Sequence, residues 1–337
     1  MSRNAEHIRE VSGVDPRALP DEVLASTEPL LLRGLAAGWP MVRAALDSQA
    51  SAVAYLRRFY KDATVVVMSG DPAIRGRFSY NDDLTGFNYR TYRTRLEAVL
   101  GELTRFAGDA NSPSMYVSST TIDTVLPGFR TENDFNFGGR APVASIWIGN
   151  RTRIAAHHDL PDNLACVVAG HRRFTLFPPE QIANLYVGPL EFTPAGQAIS
   201  LVDFSNPDFE RFPRFAQALE VARVAELGPG DAIFIPSMWW HHVESLDPFN
   251  VLVNYWWRQS PAHMDSPIGA LTLALMTVRD LPPAQRAAWE HLFRHYVFQP
   301  GDATAAHIPE RARRSLGTLD ANLVRELRAS VLARLNR

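Results

Sequence analysis

The chain has 337 residues, 46% of them apolar, and its 34 basic and 36 acidic side chains give a formal net charge of −2. Charge this evenly balanced leaves no electrostatic footprint for nucleic acid or a membrane surface. A single cysteine, Cys166, excludes an intrachain disulfide and a cysteine-rich zinc cluster.

The opening MSRNAEHIREVSG lacks the apolar core of a signal peptide. No apolar run reaches the ~18–20 residues of a membrane-spanning helix. The expectation is a soluble, cytoplasmic protein. Its pattern divides into a mixed α/β flank (1–108), a strand-rich core (109–262) and a helical region (263–337).

In the flank, EPLLLRGL (28–35) predicts a short strand and TVVVM (64–68) another. SAVAYLRRFY (51–60) places Val53, Leu56 and Tyr60 on one helical face, with Ser51 as a candidate N-cap. Leu96, Val99, Leu100 and Leu103 sit at helical spacing within 94–103.

The core changes period. Short strand-like runs fall at 115–118, 144–149, 154–159, 163–168, 172–177, 221–226, 232–236, 241–245 and 250–257, many of them parted by turn signals such as AGH and GPGD. Many short strands with few helices between them predict an antiparallel sandwich or barrel. The stretch 180–220, rich in Pro, Phe and Asp, is expected to be a lid or connecting loop. Helical spacing returns after 260. Ser266–Pro267 opens one helix, Pro282–Pro283 a second, and Thr318 is a candidate cap for a third. That last helix carries Leu319, Leu323, Leu327, Val331 and Leu335 as an i,i+4 stripe, which suits its own core or a second subunit equally.

IAAHHDLPDN (154–163) holds the densest group of metal-binding residue types. On a strand, alternate side chains share a face, so His157 and Asp159 point together and His158 points away. A third ligand must come from another strand, and His241 in GDAIFIPSMWWHHVES is the candidate. Two histidines and one carboxylate on one side of an ion form the facial triad of non-haem Fe(II) oxygenases, with other positions open. A structural zinc site would instead fill its shell with protein ligands. Taken singly, each His-His has an ordinary reading as a surface turn or a core histidine beside tryptophan. The helix motif HLFRH spaces His291 and His295 for one metal but lacks the glutamate of a zincin, which predicts a solvated face. Cys166, between Ala165 and Val167, reads as a buried packing thiol.

HHDLPDNLACVVAGHRRFTLFPPEQ, VDFSNPDFERFP and PGDAIFIPSMWWHHVESL with NVLVNYWW together resemble the Jumonji-C, cupin-like 2-oxoglutarate oxygenases. The likeness is nearest to their asparaginyl hydroxylase members, the type acting on hypoxia-inducible factor. It is strong over 110–260 and looser over 28–100. It implies a double-stranded β-helix jelly roll, mainly β, with flanking α/β elements and C-terminal helices. It implies Fe(II), 2-oxoglutarate and O2 as cofactor and cosubstrates, with iron on His157, Asp159 and His241. The far carboxylate of 2-oxoglutarate would meet Arg172, where close relatives carry lysine, and Tyr116. Asn163 and Asn254 match polar residues near the cosubstrate, and Trp256 an aromatic near the iron. The hydroxyl residue usual three places before the first histidine is replaced by Ile154, and Thr152 is the nearest substitute. Hydroxylation of a peptide or protein side chain, or of an amino-acid-like small molecule, is the implied reaction, with demethylation ranked lower. A homodimer through the C-terminal helices is also implied. The alternatives are a metal-binding cupin module without turnover and a metal oxygenase independent of 2-oxoglutarate.

Overall fold

The computed structural model describes residues 6–109 and 111–336, so part of the opening read for a signal core lies outside the described residues. In chain order its strands are β1 (Glu6–His7), β2 (Arg9–Val11), β3 (Leu30–Leu32), β4 (Thr64–Gly70), β5 (Arg77–Phe78), β6 (Arg90–Arg95), β7 (Ser114–Thr121), β8 (Val143–Gly149), β9 (Arg153–His158), β10 (Asp162–Ala169), β11 (Arg172–Phe177), β12 (Arg223–Leu227), β13 (Ala232–Ile235), β14 (Trp240–Ser245) and β15 (Asn250–Trp257). They build a six-stranded sheet, β1-β12-β11-β14-β9-β5, and a nine-stranded sheet, β2-β3-β13-β10-β15-β8-β7-β4-β6. Strands far apart in sequence pair antiparallel, β9 with β14 and β10 with β15, which is jelly-roll wiring. The early strands β1 to β6 extend both sheets.

The two sheets close on a shared apolar layer. Ala165, Val167, Ile233 and Ile235 from the nine-stranded sheet meet Phe174, Leu176 and Val243 from the six-stranded one. Leu164, Cys166 and Val168 alternate to the other side of β10 and join a second cluster with the helices Pro40–Asp47, Gln49–Phe59 and Leu96–Phe106. Every residue of β10 is therefore buried. Burial also pushes the Cys166 thiol well above its ordinary range, as expected of an inert packing group.

Helix caps fall close to, but not on, the expected residues. Ser48 rather than Ser51 caps Gln49–Phe59, accepting the Ser51 N–H. Asp320 rather than Thr318 caps Ala321–Leu335, because its carboxylate reaches the N–H groups of both Asn322 and Leu323. Ser266 does cap Pro267–Thr277.

The connection between β11 and β12 is a packed layer. Its Leu185, Val202, Phe212 and Phe215 bury against Phe177 and Trp240 on the outer face of the six-stranded sheet. The phenylalanines that looked loop-like in sequence supply this layer's core.

The chain forms two compact units, divided after Trp257. The second is helical. It carries Pro267–Thr277, Pro283–Phe293 running on as a π-helical turn Arg294–Phe298, and Ala321–Leu335. Among the described residues no helix is long and apolar enough to cross a membrane.

Candidate metal centre

Strands β9 and β14 set His157 directly opposite His241. The ladder then slips: two steps along β14, from His241 to Val243, match three along β9, from His157 to Ile154. This bulge turns Ile154 inward as well, against the apolar layer between the sheets. Asp159 follows immediately after β9. The ligand atoms of His157, Asp159 and His241 all lie within 4.8 Å of one another, and among the described residues no other group of three or more His, Cys, Asp or Glu is drawn together this way.

Both rings are held alike. His157 Nδ1 lies 2.9 Å from Ala155 O, and His241 Nδ1 lies 3.0 Å from Trp239 O. A carbonyl only accepts, so each ring donates from Nδ1, which leaves Nε2 as the atom available to a ligand. His241 Nε2 is 3.7 Å from Asp159 Oδ2. Burial, reinforced by neighbouring His157, holds the His241 imidazole below its ordinary pKa, so it is neutral at physiological pH.

The carboxylate has its own support. Asp159 Oδ2 accepts from Trp256 Nε1 at 3.0 Å and from Asn163 Nδ2 at 3.1 Å. Asn163 Oδ1 accepts from Asn254 Nδ2 at 3.1 Å, and Asn254 Oδ1 from Trp147 Nε1 at 2.8 Å. The structure thus gathers Asn163, Asn254 and Trp256 around Asp159. Trp147 was missed by sequence reasoning, since a tryptophan in ASIWIG reads as core. The available signal was alternation: Ile146 and Ile148 face the helices, which turns Trp147 toward the site.

The second histidine of each pair points elsewhere. His158 meets Trp240 edge-on at 4.7 Å. His242 packs against Phe204 at 4.5 Å with neither ring nitrogen bonded, and burial, then Arg153, pushes its pKa down to about 3.

Arg172 enters the same interior from β11, on the side of Phe174 and Leu176. Gly170, at φ +70°, makes the turn before it; a Cβ there would collide with Phe249 O. The Arg172 side chain is 1% exposed, and its Nε and Nη2 have no hydrogen-bond partner. Burial lowers its pKa, opposed by the adjacent Tyr116. Burial in turn raises the Tyr116 phenol well above its ordinary value, so it stays protonated. Thr152, the substitute for the missing hydroxyl, is fully buried and donates to Ser245 Oγ at 3.2 Å. His291 is exposed on its helix and belongs to no ligand group among the described residues.

Known proteins resemble part of this chain. HSPB1-associated protein 1 of Homo sapiens is 35% identical over 164 residues, 47% of this chain and 33% of that protein. Lysine-specific demethylase JMJ31 of Arabidopsis thaliana is 35% identical over 128 residues, 36% of this chain and 23% of that protein. tRNA wybutosine-synthesizing protein 5 of Gallus gallus is 37% identical over 106 residues, 32% of this chain and 30% of that protein. The chain spans about a third or less of the length of these relatives. The cupin-like domain family matches residues 16–263, a range that takes in every strand from β3 to β15 and the whole His-Asp-His group, and the chain belongs to that family.

Proposed function

We propose that the protein is an Fe(II)- and 2-oxoglutarate-dependent oxygenase that hydroxylates a peptide or protein side chain, or an amino-acid-like small molecule, releasing succinate and carbon dioxide. The observation that carries this reading is Arg172. A buried cation with unpartnered donors costs several kcal/mol unless an anion offsets it, and Nε and Nη2 stand free in the interior. Arg172 pairs with Ser245, four residues beyond His241 on β14, or ~13 Å along the strand. A five-carbon diacid, together with the length of the arginine side chain, bridges that gap. Its far carboxylate would take a bidentate grip from the guanidinium and a hydrogen bond from the Tyr116 hydroxyl.

The donor set fits the metal. Two imidazoles and one carboxylate suit Fe(II) and leave coordination positions for a chelating cosubstrate. When bound, iron and 2-oxoglutarate supply the oxidising power. The chain supplies the rest. His157, Asp159 and His241 hold the ion, Trp256 and Asn163 orient the carboxylate, and Ile154, Leu176 and Val243 keep water from the interior between them. The plant relative's name carries demethylation, which begins with oxidation at the same kind of C–H bond. The chicken relative's name carries a tRNA modification, but a net charge of −2 favours a peptide or small molecule here.

The test is succinate formation from 2-oxoglutarate with Fe(II) and ascorbate, in wild type and Arg172→Met. Substrate-independent turnover that needs both Fe(II) and Arg172 supports the reading. Metal uptake with no consumption of 2-oxoglutarate, across a panel of peptides and amino acids, overturns it.

We also propose that the protein is a homodimer through its C-terminal helices. Pro267–Thr277 is apolar along its length yet has no buried residue, and Leu327, Val331 and Leu335 of the last helix are exposed. Helices this apolar pack against a partner surface. A sedimentation profile that remains monomeric at all concentrations would remove this part.

A further inference from the structure

Trp147 stands where the two halves of the proposed site meet. Its ring stacks on Tyr116 at 5.7 Å and 24°, and meets Trp256 edge-on at 5.8 Å and 86°. Its N–H begins a run of three hydrogen bonds, Trp147 to Asn254, Asn254 to Asn163, and Asn163 to Asp159. An asparagine amide can be turned end for end, so neither asparagine has an intrinsic direction. The ends of this run do. An indole N–H only donates, and an ionised carboxylate only accepts. Just one orientation of both amides makes all three bonds, and Trp147 and Asp159 impose it from opposite ends.

We propose that Trp147 is a positioning residue for the metal-binding carboxylate, an inference that rests on the metal site proposed above. By presenting a donor to Asn254 Oδ1, it commits Asn254 Nδ2 to Asn163, and Asn163 Nδ2 to Asp159 Oδ2. Trp256 supplies a second N–H to that same oxygen. Two donors on one oxygen fix the rotation of the Asp159 carboxylate, which stands 3.7 Å from His241 Nε2. Without the indole donor Asn254 Oδ1 loses its partner, and the run is held in direction from the carboxylate end alone, so Asn163 is positioned less firmly. The stack on Tyr116 places the same residue against the cosubstrate anchor, so one side chain aligns both ends of the site.

The discriminating measurement is Co(II) binding to the full chain, without oxygen and without 2-oxoglutarate, read by titration and by the visible ligand-field spectrum. Trp147→Phe keeps the ring and removes the donor. Asn254→Asp keeps the shape but cannot donate to Asn163, so it forces the amide of Asn163 to turn. Loss of a supporting hydrogen bond of this kind weakens metal binding about 10- to 100-fold. Trp147→Phe is expected near the lower figure and Asn254→Asp near the upper, each with an altered spectrum and an unchanged far-ultraviolet circular dichroism. Wild-type affinity and spectrum in either folded variant overturn the role of Trp147 while leaving the metal site standing. Failure of the wild type itself to bind Co(II) overturns the metal site and this inference with it.

Discussion

The two faces of β14 carry neighbouring histidines to opposite ends. His241 faces inward, gives its Nδ1–H to a backbone carbonyl and offers Nε2 beside a carboxylate. His242 faces outward into Phe204 and makes no hydrogen bond at either nitrogen. The inner face collects charge, in Asp159 and Arg172, while the outer face is sealed by Trp240, Phe177 and Phe215. Residue type did not decide these roles; the parity of a strand position did.

That contrast can be broken from either side. The largest effect is expected on the inner face, where His157→Ala should abolish Fe(II) uptake and reduce turnover to background while thermal unfolding still shows a cooperative transition. Next comes the outer face. Phe215→Ala removes a fully buried ring and should cost about 3–5 kcal/mol in denaturant unfolding. The surviving folded protein should still bind metal with wild-type affinity, and a loss of affinity would show that the two faces are coupled. Third, Arg172→Met should raise the KM for 2-oxoglutarate by about 10- to 100-fold, the value of one or two charged hydrogen bonds. The same change should leave the apo protein as stable or more stable, since an apolar side chain replaces an unpaired buried charge. A marked loss of apo stability would argue that Arg172 is structural.

The smallest effect at neutral pH belongs to His242. Its folded pKa of about 3 lies below the ordinary 6.5. Between those values the unfolded chain binds a proton that the folded chain refuses. Stability therefore rises with pH across that window and falls as pH drops through it. His242→Phe should flatten the stability–pH slope between those limits in urea titrations. An unchanged slope would mean that other groups govern acid unfolding.

Much of the jelly roll was legible because burial on one or both faces imposes a period of two, and the runs at 163–168, 172–177 and 250–257 coincide closely with β10, β11 and β15. Alternation paired His157 with Asp159, and His241 was a candidate from a separate strand; the structure brings the three together. The bulge that turns Ile154 inward was not legible, since nothing in IAAHH marks an extra residue. Asn163 and Asn254 came only through resemblance, and their contact with each other depends on a strand pairing between β10 and β15 that local pattern does not encode. Trp147 stayed hidden because its one polar atom is invisible among apolar neighbours. The caps at Ser48 and Asp320 were misplaced by two or three residues, within the reach of several competing side chains.

Arginine rather than lysine at position 172 has a consequence for the range over which the site stays competent. A buried ammonium readily gives up its proton, so a lysine here would turn the anchor into a switch thrown by mild alkalinity. A guanidinium remains cationic even when burial weighs against it. The proposed grip on a diacid would then survive basic conditions, and the upper limb of a pH–activity curve would be left to other groups in the protein.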